Sequence, residues 1–406
     1  MVVKADLEKI LQERLVNMNI RPFRFVKLGI GVTLAAMICL AAGMLFAARS
    51  TQEYLVYIGT YTGPKSKGIY GLRFDSNKGR LQEIGLVGEV PQPSFLTFDR
   101  NRRYMYAVSE LKGNTDGFVS SFSIDKKSGM LTFLNKVSTK GTVACHLVVD
   151  KTNKMLLVAN YGSGSVAAFR VKPDGTLSES TAFVQHSGSS VNKRRQRGPH
   201  AHEVVLSADN RFVFVPELGL DEILGYRIDP AQATFTANDP PYVKVAAGRG
   251  PRHFAFHPNN KYAYAVNEMG SSVTAFTYDS QKGALHEIED LSTLPEGFKG
   301  ENNSAEIQID KNGRYLYASN RGHDSIAVFS IDPKSGKLKK VQTISTQGKT
   351  PRNFSLDPTG KYLLAANQDS DNIVVFKVDQ KSGQLTPGGQ TVTVPSPVCI
   401  DFVPAG

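Results

Sequence analysis

The chain has 406 residues, 41% of them hydrophobic and 21% charged, which is enough apolar material for a large core and excludes a disordered or fibrous protein. The formal net charge of +11 favours anionic small molecules or surfaces. The basic residues scatter across turns with no organising helix or RNA-binding motif, so nucleic acid is not expected as a partner.

Residues 26–48 are apolar apart from Lys27, follow Arg21 and Arg24, and end at Arg49. That length suffices for a hydrophobic helix crossing a bilayer, and the same layout fits a secretory signal with small residues such as Ala41, Ala42 and Gly43 near a cleavage point. Residues 1–50 therefore read as a signal peptide or membrane anchor, with Met18 a second candidate start. An exported protein, periplasmic, extracellular or anchored through 26–48, is expected, with any membrane contact confined to that segment.

From residue 51 onward the sequence repeats. PSFLTFDRNRRYMYAVSE from Pro93 aligns without a gap with five later segments, starting at Ala144, Ala201, Pro251, Ser304 and Pro351. The turn positions Asp99, Asp150, Ser207, His257, Asp310 and Asp357 recur at spacings of 47 to 57 residues, the size of a propeller blade. Each copy holds two short apolar strands around a polar turn. A third strand follows with an aromatic at Phe122, Phe169, Tyr226, Phe276, Phe329 or Phe376. After five of the third strands comes a D-x-x-x-G turn, as in Asp75–Gly79 and Asp332–Gly336, and then a fourth strand such as LHEIEDLST.

A seventh unit is split between the chain ends. EYLVYIGTY (53–61) and KGIYGLRFD (67–75) match second and third strands, and PVCIDFVP (397–404) matches a first strand. The pattern predicts an all-β, seven-bladed propeller of four-stranded blades over 51–406, its ring closed by the N- and C-terminal strands. With no Trp in the chain, it is not of the WD type. Cys39 lies in the apolar run, and Cys145 and Cys399 fall on the inner strands of different blades, where a bridge is not expected.

In such a ring the start of each innermost strand and the end of each second strand open onto one end of the central channel. The first position carries Ser94, Cys145, His202, Arg252, Ala305 and Arg352, followed by Phe95, His146, Glu203, His253, Glu306 and Asn353. The second carries the pairs Ser109–Glu110, Asn160–Tyr161, Glu217–Leu218, Asn267–Glu268, Asn320–Arg321 and Asn367–Gln368. Together they predict a polar funnel in which cations and carboxylates face each other.

The stretch GSSVNKRRQRGPHAH (188–202), with YIGTYT (57–62), GPRHFAFHP (250–258), YAVNE (264–268) and YASNRG (317–322), resembles the seven-bladed lactonase family. That family includes propeller-type bacterial 6-phosphogluconolactonases and fungal carboxy-muconate lactonising enzymes, and the likeness spans 53–404. It implies catalytic groups at His202, Arg252, Glu268 and Arg321, acting on an anionic sugar-acid lactone in carbohydrate metabolism. Lactone hydrolysis needs a base for water and cationic donors for the oxyanion. Glu268 or His202 suits the first role, Arg252 and Arg321 the second. A salt-bridge belt joining both arginines to Glu268 and Glu217 is the structural alternative.

His200, Arg195, Gln196, His146, Glu306, Arg352 and Asn353 are expected to bind substrate, and Lys193, Arg194, Arg195 and Arg197 to steer an anion toward the mouth. No cofactor is expected, and His146 and His253 complete no ligand set with metal spacing, so no metal is assigned. G-x-S-x-G, Walker and dinucleotide fingerprints are absent. A monomer is expected. Because the phosphorylated lactone of central metabolism is cytosolic, export points toward another aldonolactone. A non-catalytic binding propeller and a muconate-type lyase remain as alternatives.

Overall fold

The computed structural model describes residues 53–113 and 115–406. The expected hydrophobic helix, signal or anchor within 1–50 lies outside the described residues. No described helix is long and apolar enough to cross a membrane.

The described residues form seven four-stranded antiparallel sheets. Each runs outward in sequence order, from an innermost strand such as Pro251–Phe256 through Tyr262–Asn267 and Ser272–Asp279 to Ala284–Ser292. The split blade forms as read from the sequence. Pro397–Pro404 pairs with Glu53–Thr60, which pairs with Gly68–Asp75 and then Arg80–Glu89. Closure covers the inner edge of Glu53–Thr60, which the chain would otherwise leave open. Deleting residues 397–406 is expected to expose the backbone edge of Glu53–Thr60 and convert the protein to aggregates on gel filtration; an unchanged sharp peak would contradict this.

The blades bury their faces against each other. The third-strand residues Phe122, Phe169, Tyr226, Phe276, Phe329 and Phe376 are all buried, as are Tyr57, Tyr106, Tyr264 and Tyr317 on second strands. Neighbouring blades are also tied by hydrogen bonds, with Tyr264 Oη donating to Gly336 O at 2.8 Å and Tyr317 Oη to Gly383 O at 2.9 Å. These glycines close the predicted D-x-x-x-G turns. Gly336 has φ of +71°, and a Cβ there would sit 2.4 Å from the Tyr262 ring of the preceding blade, so both backbone and neighbour demand glycine. After the strand Glu222–Asp229, Ala233 takes the same left-handed place, with φ of +54°.

Two innermost strands are shorter than the repeat implies. Leu96–Phe98 has three residues, and in the repeat starting at Ala201 only Val205–Leu206 pairs regularly, preceded by the single bridge Ala201 to Glu217. Cys145 and Cys399 are buried free thiols.

Candidate active site

A regular strand points successive side chains to opposite faces, so two consecutive residues cannot both reach the channel without a break in the ladder. Here the break is built in. Pro251 pairs with Asn267 and His253 with Val266, so the ladder skips Arg252. The same skip occurs at Cys145, between Ala144 and His146, and at Arg352, between Pro351 and Asn353. Such bulges re-aim side chains beside active sites, and here they turn these three residues and their successors toward the axis.

The second-strand ends divide in the opposite way. Asn160, Asn267, Asn320 and Asn367 are fully buried and turn into their own blades, as when Asn267 Nδ2 donates to Ser272 Oγ at 2.9 Å. The following residues Glu110, Tyr161, Glu268 and Arg321 reach the axial cavity, whereas Leu218 and Gln368 do not line it, which corrects the expectation that both members of every pair would. Glu217 holds the same repeat position as these asparagines and also turns inward. Its Oε2 lies 2.6 Å from His186 Nδ1, and its Oε1 accepts the His200 amide. The expected belt linking Glu217 to the arginines therefore does not form.

What results is a cavity of about 340 Å³ at one end of the channel. His202, Glu268 and Arg321 line it, joined by Arg195, Arg352 and Glu110. Glu268 is its electrostatic centre. Arg195 Nη2 approaches Glu268 Oε1 to 2.5 Å, while Arg321 Nη2 and Arg252 Nε meet Oε2 at 2.8 and 3.1 Å. Arg252 lies just beneath the floor, its Nη1 donating to Ala305 O at 2.7 Å. Burial alone would raise the Glu268 pKa, but Arg321, Arg252 and Arg195 outweigh it and hold the carboxyl far below the usual range. Glu268 is therefore an anionic brace and a very weak base, which removes one of the two candidates for that role.

His202 has the opposite character. It is 4% exposed, and burial, then Arg252, His253, Arg352 and Arg321, push its pKa well below 6.5, so the ring is neutral at physiological pH. Its Nδ1 is enclosed without a protein partner, which leaves Nε2 as the nitrogen meeting the cavity. Arg352 sits with its guanidinium 5.3 Å from the Tyr61 ring centre and 3.9 Å from Glu110, and its side chain makes no hydrogen bond among the described residues. Tyr61 Oη donates to Glu110 at 2.9 Å.

The other expected contacts fall elsewhere. Gln196 is fully buried, donating from Nε2 to Leu218 O at 2.9 Å and accepting from the Asn192 amide, so it supports the loop that presents Arg195. His200 stacks on Tyr161 with ring centres 4.6 Å apart and places Nδ1 2.9 Å from Tyr161 O. Tyr161 Oη in turn accepts from Arg195 at 3.2 Å. His146, Glu306 and Asn353 form a lower tier with Glu203 and His253, below the cavity. There Asn353 Nδ2 donates to Glu306 Oε2 at 2.5 Å, and His146 Nε2 lies 3.4 Å from Glu203 Oε1. Burial raises Glu203 well above the usual carboxylate range and Glu306 to about 7, and holds His146 and His253 well below 6.5, so most of this tier is uncharged at neutral pH. Lys193, Arg194 and Arg197 are exposed on the loop surface.

Glu110, Tyr161 and Cys145 occupy channel-facing repeat positions to which the sequence assigns no role, and all three line the cavity. Tyr61 and Asn303, which lie outside those two positions, were missed. Among the described residues no group of three or more His, Cys, Asp or Glu side chains is arranged to hold a metal ion.

Seven blades in a closed ring, with an arginine-braced cavity of small-molecule size, define a β-propeller. The sequence profile of the seven-bladed β-propeller lactonases matches residues 55–402. A 6-phosphogluconolactonase of Bacillus subtilis is 37% identical over 351 residues, covering 86% of this chain and 99% of that protein. A 6-phosphogluconolactonase of Formosa agariphila is 35% identical, covering 74% and 86%. Among solved structures, the periplasmic gluconolactonase of Pseudomonas aeruginosa superposes with a TM-score of 0.83 at 34% identity, covering 87% of this chain and all of that one. The chain belongs to the seven-bladed β-propeller lactonase family and is a lactone-opening carboxylic ester hydrolase.

Proposed function

We propose that the enzyme hydrolyses a gluconolactone-type sugar-acid lactone in the axial cavity, with His202 as general base. The observation that carries this reading is the juxtaposition of a neutral, cavity-facing imidazole with three arginines organised on one carboxylate. A volume of about 340 Å³ lies within the range of small-molecule sites.

His202 Nε2 takes a proton from water as the water oxygen bonds to the lactone carbonyl carbon. Arg321 and Arg195, already aimed by Glu268, donate to the developing oxyanion. Collapse breaks the ring C–O bond, and the imidazolium returns its proton to the leaving ring oxygen, leaving the open-chain acid as its carboxylate after proton loss to solvent. Arg252 acts through Glu268 and by its charge, and Arg352 offers free donors to an acidic substituent.

The decisive experiment follows opening of gluconolactone, with and without a 6-phosphate, against the spontaneous rate. Wild type should exceed buffer for at least one of them. Arg321→Ala should lose about 10²- to 10³-fold in kcat, while Lys193→Ala on the exposed loop stays at the wild-type rate. Wild-type rates equal to buffer for every lactone would contradict the proposal.

The pH profile offers a second test. A base must be neutral to act, and the His202 pKa lies below 6.5, so kcat/KM should hold through pH 6.5 and fall only on further acidification. An acid limb centred above 6.5 would contradict the assignment to His202.

We further infer export through residues 1–50. Support comes from the apolar, basic-flanked run at 26–48 and from the Pseudomonas relative described as periplasmic. Cell fractionation that finds the protein wholly in the cytosol would overturn it.

A further inference from the structure

Beneath the cavity floor lies a second void of about 10 Å³, bounded by Ser94, His202, Arg252, His253 and Asn353 among others. That is the space of a single water centre. Three buried polar atoms of its walls have no hydrogen-bond partner among the described residues: Ser94 Oγ, His202 Nδ1 and His253 Nδ1. His253 Nδ1 lies 3.2 Å from Glu306 Oε2 but is not aligned for a hydrogen bond, and burial keeps the ring neutral. Buried polar groups are almost always paired, because one left unpaired carries its full desolvation penalty. Three around one water-sized void therefore point to a common partner.

We propose that this void is a water-binding site, and that its water accepts the Nδ1–H of His202 and donates to Ser94 Oγ and His253 Nδ1. Ser94 and His253 thereby become positioning residues for the catalytic histidine. The proposal rests on the reading of His202 as the base and adds what that reading lacks, a group that selects the tautomer. An imidazole can take a proton at Nε2 only if its hydrogen resides on Nδ1, and the partner of Nδ1 decides where that hydrogen sits. In many hydrolases a carboxylate does this. Here no carboxylate bonds the ring, and a neutral partner leaves the His202 pKa low, in keeping with its surroundings.

Those surroundings are strongly charged. His202 faces Arg252 and His253 on the strand Pro251–Phe256, Arg321 from the next blade and Arg352 from the blade after it. Tyr161 lies edge-on at 5.4 Å, and the Cys145 thiol donates to His202 O at 3.2 Å. Glu110 and Glu268 share the cavity wall. None of these side chains hydrogen-bonds Nδ1, and among the described residues it has no other partner, a place the water fills.

The test combines a map, a spectrum and a variant. An atomic-resolution crystal structure of the full chain should show one water within about 3.2 Å of His202 Nδ1 and Ser94 Oγ. Nitrogen-15 NMR of histidine-labelled protein should find His202 as the Nδ1–H tautomer. Ser94→Val, which fills the void and removes the hydroxyl, should cut kcat roughly tenfold with KM unchanged and shift His202 away from that tautomer.

A map with the void dry, or an Nε2–H tautomer in the wild type, overturns the proposal. So does Ser94→Val with wild-type kcat and spectrum. If Ser94→Val does not fold, the wild-type map and spectrum decide alone. His202→Gln with wild-type kcat would instead overturn the base assignment itself, which separates the two failures.

Discussion

Replacing His202 by glutamine is expected to lower kcat by about 10²- to 10⁴-fold, the usual contribution of a positioned general base, while KM changes by no more than a few-fold. Glutamine keeps a polar group of similar size at the cavity wall but cannot take a proton from water. The substrate-holding arginines are untouched, so the loss should fall on the chemical step and appear equally in kcat and kcat/KM. Steady-state kinetics on the best lactone substrate measures this directly. A variant with wild-type kcat and a raised KM would make His202 a binding group, and the base would have to be sought elsewhere on the wall, with Glu110 the remaining carboxylate there.

Replacing Glu268 by glutamine should damage both stability and activity. The carboxylate is 5% exposed and neutralises Arg252, Arg321 and Arg195 at once. Removing one partner of a buried ion pair typically costs about 3 to 5 kcal/mol because the other charge is left uncompensated. Here three cations are left, with Arg352 close by to add repulsion to Arg252 and Arg321. Urea unfolding should show a lower midpoint with an unchanged slope, and kcat should fall because the oxyanion donors lose their common anchor. The effect depends on pH in a defined direction. The folded pKa of Glu268 is depressed, so its stabilisation is present above the ordinary carboxylate pKa and is lost only as pH falls through the lower folded value. The gap between wild type and Glu268→Gln should therefore be full at pH 6 to 8 and narrow in strong acid. Equal midpoints at pH 7 would contradict the brace.

The ring was legible in the sequence because each blade repeats one local pattern. Turn residues at the marker position, an aromatic on the third strand and a glycine closing the next turn recur at nearly constant spacing, and the two half-blades at the ends complement each other. Convergence of His202, Arg252, Glu268 and Arg321 was legible for the same reason, since equivalent positions of a ring share one end of its axis. Finer placement was not legible, because it depends on which way a side chain turns at a strand end. The bulges at Cys145, Arg252 and Arg352 follow from pairing between strands, and no residue type announces them. Alternation sends Asn267 and Glu217 into their blades and Glu268 into the channel, although all three look equally polar in sequence. Arg195 gave a charge signal shared by Lys193, Arg194 and Arg197. Only the fold of its loop, held by Gln196, brings that one guanidinium onto Glu268.

The central claim is that a lactone is opened at the arginine-braced end of the channel. A crystal structure with the open-chain aldonate product, or a lactam analogue of its lactone, tests this most directly. The ligand's carboxylate or carbonyl oxygen should lie within about 3 Å of the Arg321 and Arg195 guanidinium groups, with its C1 facing His202 Nε2. A ligand seated instead at the opposite mouth, beside Arg100, Arg102 and Lys151, would contradict it.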